Sequence, residues 1–168
     1  MLTLVTGGAR SGKSVHAENI VLNSGLRPVY VATARARDAE MARRIEAHRR
    51  RRGGQWMLVE EETDLPGVIA AQATGERILL IDCLTLWLSN LLLAEADIEK
   101  EVERLCAALS ESRGDIVLVT NEVGMGIVPE NALARRFRDF AGHLNQRVGA
   151  LADRVELVVS GIGVTIKP

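Results

Sequence analysis

The sequence predicts an α/β domain built on a mainly parallel sheet of about seven strands, with helices on both faces and a closing antiparallel hairpin strand. Three observations predict it. Short β-rich runs alternate with longer amphipathic patterns, the order expected of βα units. A glycine-rich turn sits between the first such run and the first helical pattern, and a second glycine turn joins the last two runs.

Taken in order, residues 2–6 form the first strand candidate and a helix opens at Lys13 and Ser14. Further strand candidates cover residues 28–33, 57–60, 78–82, 116–120 and 155–160. Gly161-Ile162-Gly163 then turns the chain into a short run at 164–167. Ile98, Val102, Leu105 and Leu109 recur at helical spacing, and so do Leu133, Phe137, Phe140, Leu144 and Val148. Both sets carry charges on the opposite side, so they read as helices covering the sheet.

The composition agrees with one domain: 168 residues, 47% hydrophobic and 26% charged, with a formal net charge of −1. Cys83 and Cys106 read as reduced thiols, because a chain of this length needs no disulfide. The uncharged apolar stretch 83–94 is shorter than the roughly 18 residues of a membrane span. The N-terminus lacks the order of a secretory leader, so a cytoplasmic protein is expected. Eighteen of the 21 basic residues are arginine, eight of them within 35–52. That is a local patch rather than a basic protein, which argues against a general nucleic-acid coat.

Gly7-Gly8-Ala9-Arg10-Ser11-Gly12-Lys13-Ser14 fits G-x-x-x-x-G-K-[ST] in the context that motif requires, after a strand and before a helix. Glycines let backbone N–H groups converge on phosphate oxygens, and the helix N-terminus adds positive potential. Lys13 would bridge the β- and γ-phosphates, and the Ser14 hydroxyl would ligate Mg2+. Asp82, ending an apolar strand, is the candidate to hold the same ion through water; an Asp there is otherwise a helix cap.

Phosphate loops serve kinases, switches and motors alike. Thr120-Asn121-Glu122-Val123 lacks the residues of an N-K-x-D base-reading motif, and a motor generally needs more chain. A small-molecule transferase fits better. The rivals are a kinase of another small hydroxyl compound without a covalent step, a nucleotide-dependent nucleic-acid module using the arginine patch, and a nonenzymatic nucleotide sensor. No aromatic platform accompanies the arginines, which weakens the second.

The segments Val5–Ser14, Asp82–Leu92 and Thr120–Glu130, with Phe137-Arg138-Asp139, Asn145-Gln146 and Val159-Ser160-Gly161-Ile162-Gly163, resemble the bifunctional adenosylcobinamide kinase/adenosylcobinamide-phosphate guanylyltransferase family of cobalamin biosynthesis. The resemblance covers essentially the whole chain and implies a RecA-like P-loop fold. It also implies two reactions: phosphorylation of adenosylcobinamide by ATP or GTP, then transfer of GMP from GTP to adenosylcobinamide phosphate.

That family's second step passes through a histidine–GMP intermediate, and the segment Glu40–Arg49 matches its histidine region, which implies His48 as nucleophile. From the residues alone, His48 ends a helical stretch and is followed by Arg49, Arg50, Arg51 and Arg52, which could bind a triphosphate or simply complement a helix terminus. His16 and His143 read as ordinary helix residues. The resemblance further assigns guanine-nucleotide contact to Ala32, Thr33, Ala34 and Glu60, and suggests a homo-oligomer, a trimer. Residues 121–129, with Glu122 and two glycines, are either a loop that closes over a substrate or a plain connection before the helix after Pro129.

Overall fold

The computed structural model describes residues 1–34, 39, 43, 46, 50 and 53–168. The elements in chain order are β1 (Leu2–Gly7), α1 (Lys13–Leu22), β2 (Arg27–Ala32), β3 (Met57–Glu60), α2 (Leu65–Gln72), β4 (Arg77–Asp82), α3 (Leu84–Leu93), α4 (Ile98–Glu111), β5 (Asp115–Asn121), α5 (Ala132–Leu151), β6 (Arg154–Val159) and β7 (Ile162–Lys167). The strands form one sheet in the order β3-β2-β4-β5-β1-β6-β7. All neighbours are parallel except β6 and β7. The expected architecture is therefore the observed one, and every expected strand is present within two residues at either end.

The central strands are apolar throughout because both faces are covered. On one face α1 seals a core of Val5, Ala17, Val21, Leu80, Val117, Val119 and Val158. On the other, α2 to α5 pack Leu65, Leu84, Trp87, Leu105 and Leu144 against Leu4, Val31, Leu79, Ile81 and Leu118. The periodic residues of α4 are buried as read, whereas in α5 Leu133 is exposed and burial begins further along, at Ala141.

Helix starts follow from local chemistry. Asp64, Asp97 and Asn131 each accept a backbone N–H of the first turn of α2, α4 and α5. The β6–β7 connection is a two-residue turn with positive φ at both Ser160 (52°) and Gly161 (81°), the handedness that matches a twisted hairpin. Because the strands other than β7 are parallel, Gly7, Ala32, Glu60, Asp82, Asn121 and Val159 all end on one edge of the sheet. Loops leaving that edge form the candidate site.

Candidate active site

The phosphate loop spans the step from β1 to α1. Gly7 is a steric requirement, since a Cβ there would lie 2.5 Å from the Val158 carbonyl oxygen and 2.7 Å from Ser11 Oγ. Gly12 has φ +94°, the left-handed region that glycine adopts without strain, and Arg10 shares that handedness at φ 59°. The loop is closed by Ser11 N–H donating to the Gly8 carbonyl at 3.2 Å. Ser11 Oγ is buried and has no partner among the described residues, a polar atom left over for a ligand oxygen.

Lys13 is the first residue of α1 and is buried, its Nζ donating to the Gly8 carbonyl at 3.0 Å. Burial pulls its pKa below the usual lysine value, while nearby Cys83 and Asp82 act in the opposite direction. An ammonium held by one backbone carbonyl is poised to exchange it for phosphate oxygens. Ser14 follows, half-buried in the same first turn.

Asp82 ends β4, two strands from β1, and Tyr30 Oη donates to its Oδ2 at 2.8 Å. That bond orients the carboxylate. Ser14 and Asp82 are the groups that could hold a divalent cation. One hydroxyl and one carboxylate suit Mg2+, which keeps water and substrate phosphate as its other ligands. No group of three or more His, Cys, Asp or Glu that could hold a metal exists among the described residues.

Thr33 is fully buried, and its hydroxyl is spent on the fold. It donates to the Cys83 carbonyl and accepts from the Cys83 N–H, both at 2.8 Å. Its own carbonyl accepts from Asn90 Nδ2 at 2.8 Å. Ala32 and Ala34 flank it, half-buried. Burial, with the Asp82 charge beside it, pushes the Cys83 thiol up to about 12, so it stays protonated. Glu60 is exposed at the end of β3, with β2, β4 and β5 between it and β1. Its neighbour Glu61 is held below the usual carboxylate range by the backbone N–H groups of Asp64 and Thr63.

His48, Arg49, Arg51 and Arg52 lie outside the described residues. Arg50 is helical, two residues past the helix end read from the sequence, and its Nε meets Glu46 Oε1 at 2.8 Å in an exposed i,i+4 pair. The loop after β5 starts at the phosphate loop, with Glu122 N–H donating to the Gly7 carbonyl at 3.0 Å. Glu122 Oε1 accepts the Gly124 N–H at 2.6 Å, and Met125, Ile127 and Val128 are exposed.

Several residues that organise this edge escaped the sequence reading. Thr85 Oγ1 accepts the Asn121 N–H at 2.7 Å, Asn90 ties residue 33 to residue 62, and Thr120 Oγ1 donates to Asn145 at 2.8 Å. Their signal was visible: Thr85 and Asn90, with Ser89, are the polar exceptions in an apolar run. Glu156 gave none. It is buried on β6, where burial pushes its pKa up but hydrogen bonds from His16 and Arg154 outweigh that, leaving it below the usual carboxylate range.

A phosphate loop after β1, a lysine and a serine on the first helical turn, and an acid at the end of β4 are the features of a P-loop nucleotide-binding protein. The fold agrees: the RadB recombinase structure matches with a TM-score of 0.50 at 16% identity, over 93% of this chain and 73% of that one. A structure from Pyrococcus horikoshii OT3 matches with a TM-score of 0.56 at 11% identity, over 99% and 85%. These similarities are to the RecA-like architecture.

The chain belongs to the cobinamide kinase/cobinamide phosphate guanyltransferase family of cobalamin biosynthesis, which matches residues 3–166. It is 46% identical to the bifunctional adenosylcobalamin biosynthesis protein CobU of Escherichia coli K12, over 99% of this chain and all of that one. It is also 46% identical to the bifunctional adenosylcobalamin biosynthesis protein CobP of Pseudomonas aeruginosa, over 99% and 98%. No helix among the described residues is long and apolar enough to cross a membrane.

Proposed function

We propose that this protein phosphorylates adenosylcobinamide with ATP or GTP, and then transfers GMP from GTP to adenosylcobinamide phosphate, releasing pyrophosphate. The observation that carries the reading is the buried Lys13 on the first turn of α1, folded onto the loop of a chain that belongs to this family throughout its length.

In the first reaction the side-chain hydroxyl of adenosylcobinamide attacks the γ-phosphorus. The bond to the β–γ bridging oxygen breaks, the nucleoside diphosphate leaves, and the hydroxyl proton is released. Lys13 and the loop N–H groups hold the phosphates in line, which is where most catalysis of phosphoryl transfer arises. Mg2+, held by Ser14 and through water by Asp82, would neutralise phosphate charge.

In the second reaction an imidazole nitrogen of His48 attacks the α-phosphorus of GTP and pyrophosphate leaves. A phosphate oxygen of adenosylcobinamide phosphate then attacks the same phosphorus, the P–N bond breaks, and the histidine is regenerated. Arg49, Arg50, Arg51 and Arg52 disperse charge on the triphosphate, and Ala32, Thr33, Ala34 and Glu60 border the guanine nucleotide. The working form is a cytoplasmic homo-oligomer, a trimer.

The test is incubation with Mg2+ and GTP labelled at the α-phosphate, for wild type and His48→Ala. Acid-labile, alkali-stable label on the wild type and none on the variant, with cobinamide phosphorylation retained in both, is the expected result. Phosphorylation by an unlabelled wild type would leave a P-loop kinase without covalent catalysis.

A further inference from the structure

We propose that His16 and Glu156 are positioning residues for nucleotide binding: through them the β6–β7 hairpin braces the turn of α1 that carries Lys13 and Ser14. The proposal rests on reading residues 7–14 as the nucleotide phosphate site.

The hairpin touches the loop at two points. Before the helix, Gly161 N–H donates to the Ser11 carbonyl at 2.8 Å, and a Cβ at Gly12 would lie 3.1 Å from Gly161 Cα. Within the helix, His16 Nε2 bonds Glu156 Oε2. The two contacts bracket residues 12–15, so the first turn of α1 is fixed from both ends by one element.

The second contact is built rather than incidental. Glu156 is only 5% exposed, and a buried carboxylate is tolerated when its oxygens are satisfied. Oε2 takes His16, and Oε1 takes Arg154 Nε at 2.5 Å, while Arg154 Nη2 reaches Thr165 Oγ1 on β7 at 3.1 Å. The imidazole lies where a side chain at residue 163 would start, so Gly163 leaves it room. Phosphate binding by Lys13 and Ser14 is sensitive to small shifts of this turn, because their reach is set by where the helix begins.

The experiment measures nucleotide affinity of the full chain directly, as Kd for GTP with Mg2+, beside KM values for GTP and cobinamide and urea unfolding. Glu156→Gln and His16→Leu are each expected to weaken GTP roughly fivefold or more in Kd and KM, leaving the cobinamide KM unchanged. The double variant should be no weaker than the worse single one, since both break the same contact. His16→Gln, which keeps a side-chain donor, should recover most of the affinity.

Lower urea midpoints with unchanged GTP affinity would overturn the proposal by making the contact purely structural, and so would independent, multiplying losses. If Glu156→Gln does not fold, Gly163→Ala keeps all three side chains but drives the imidazole away and presses on Glu156 Oε2, 3.2 Å from the new Cβ, and carries the same expectations. A wild type that binds no nucleotide overturns the reading of the loop and the brace with it. A wild type that binds GTP but does not phosphorylate cobinamide overturns the proposed function and leaves this test in force.

Discussion

Thr33 is where resemblance and structure make separable predictions. The resemblance makes it a nucleotide contact, whereas its hydroxyl is buried between β2 and β4, exchanging two hydrogen bonds with Cys83. Thr33→Val keeps the shape and removes both. The Cys83 N–H is then a buried donor without a partner, at about 1–3 kcal/mol. The Cys83 carbonyl keeps the Trp87 N–H at 3.1 Å, so its loss is smaller, about 0.5–1 kcal/mol. The total is about 1.5–4 kcal/mol, or roughly 3–16 °C in Tm for a chain of this size. Thr33→Ser keeps the hydroxyl and should lose only about 1 kcal/mol, for the buried methyl. Urea unfolding of both variants and their KM for GTP give the answer. If Thr33→Val were as stable as Thr33→Ser but raised KM for GTP, the hydroxyl would belong to the nucleotide and the reasoning from its two bonds would be refuted.

Lys13→Met should abolish both reactions, yet unfold at the same or a higher temperature. Burial of the ammonium lowers its folded pKa, so the charged lysine opposes folding at neutral pH, and a melting curve beside both activity assays checks the trade. Thiol titration of the native chain at pH 8 should modify Cys106 slowly and Cys83 only on unfolding, since both thiols are raised and Cys83 is buried. Two fast thiols in folded protein would contradict this. Glu61 should give an acid-dependent contribution to stability. Its folded pKa lies below the unfolded value near 4.5, so the stabilisation is full above that value and is lost as pH falls through the folded one. The difference in unfolding free energy between wild type and Glu61→Ala should therefore shrink in acid.

The parts legible in the sequence were those written in consecutive residues. The phosphate loop needs only eight in a row, and Gly161 marked the β6–β7 turn, although Ile162 and Gly163, read as part of that turn, already belong to β7. Helix α3 was harder: Leu84, Trp87, Leu88 and Leu91 face the core, Thr85 and Asn90 are buried with them and Ser89 is half-buried, so no charged or exposed polar face marks the period. Helix α2 hid for the same reason, being short, apolar and interrupted by Pro66 and Gly67. The side chains that position the site make bonds between distant residues: Tyr30 to Asp82, Thr33 to Cys83, His16 to Glu156. Each reads alone as an ordinary strand or helix residue, and only the register of β2 with β4, or of β1 with β6, brings the partners together.

The sheet order also sets when the site can exist during synthesis. Strand β1 leaves the ribosome first, but its partners are β5, at Asp115–Asn121, and β6, at Arg154–Val159. At translation speeds of about 5–20 residues per second, the nascent phosphate loop waits on the order of ten seconds for either neighbour. Until then its glycines have no sheet beneath them and Lys13 has no wall. A loop whose shape depends on both pairings is a late-forming part of the fold, although its residues are among the first to be made.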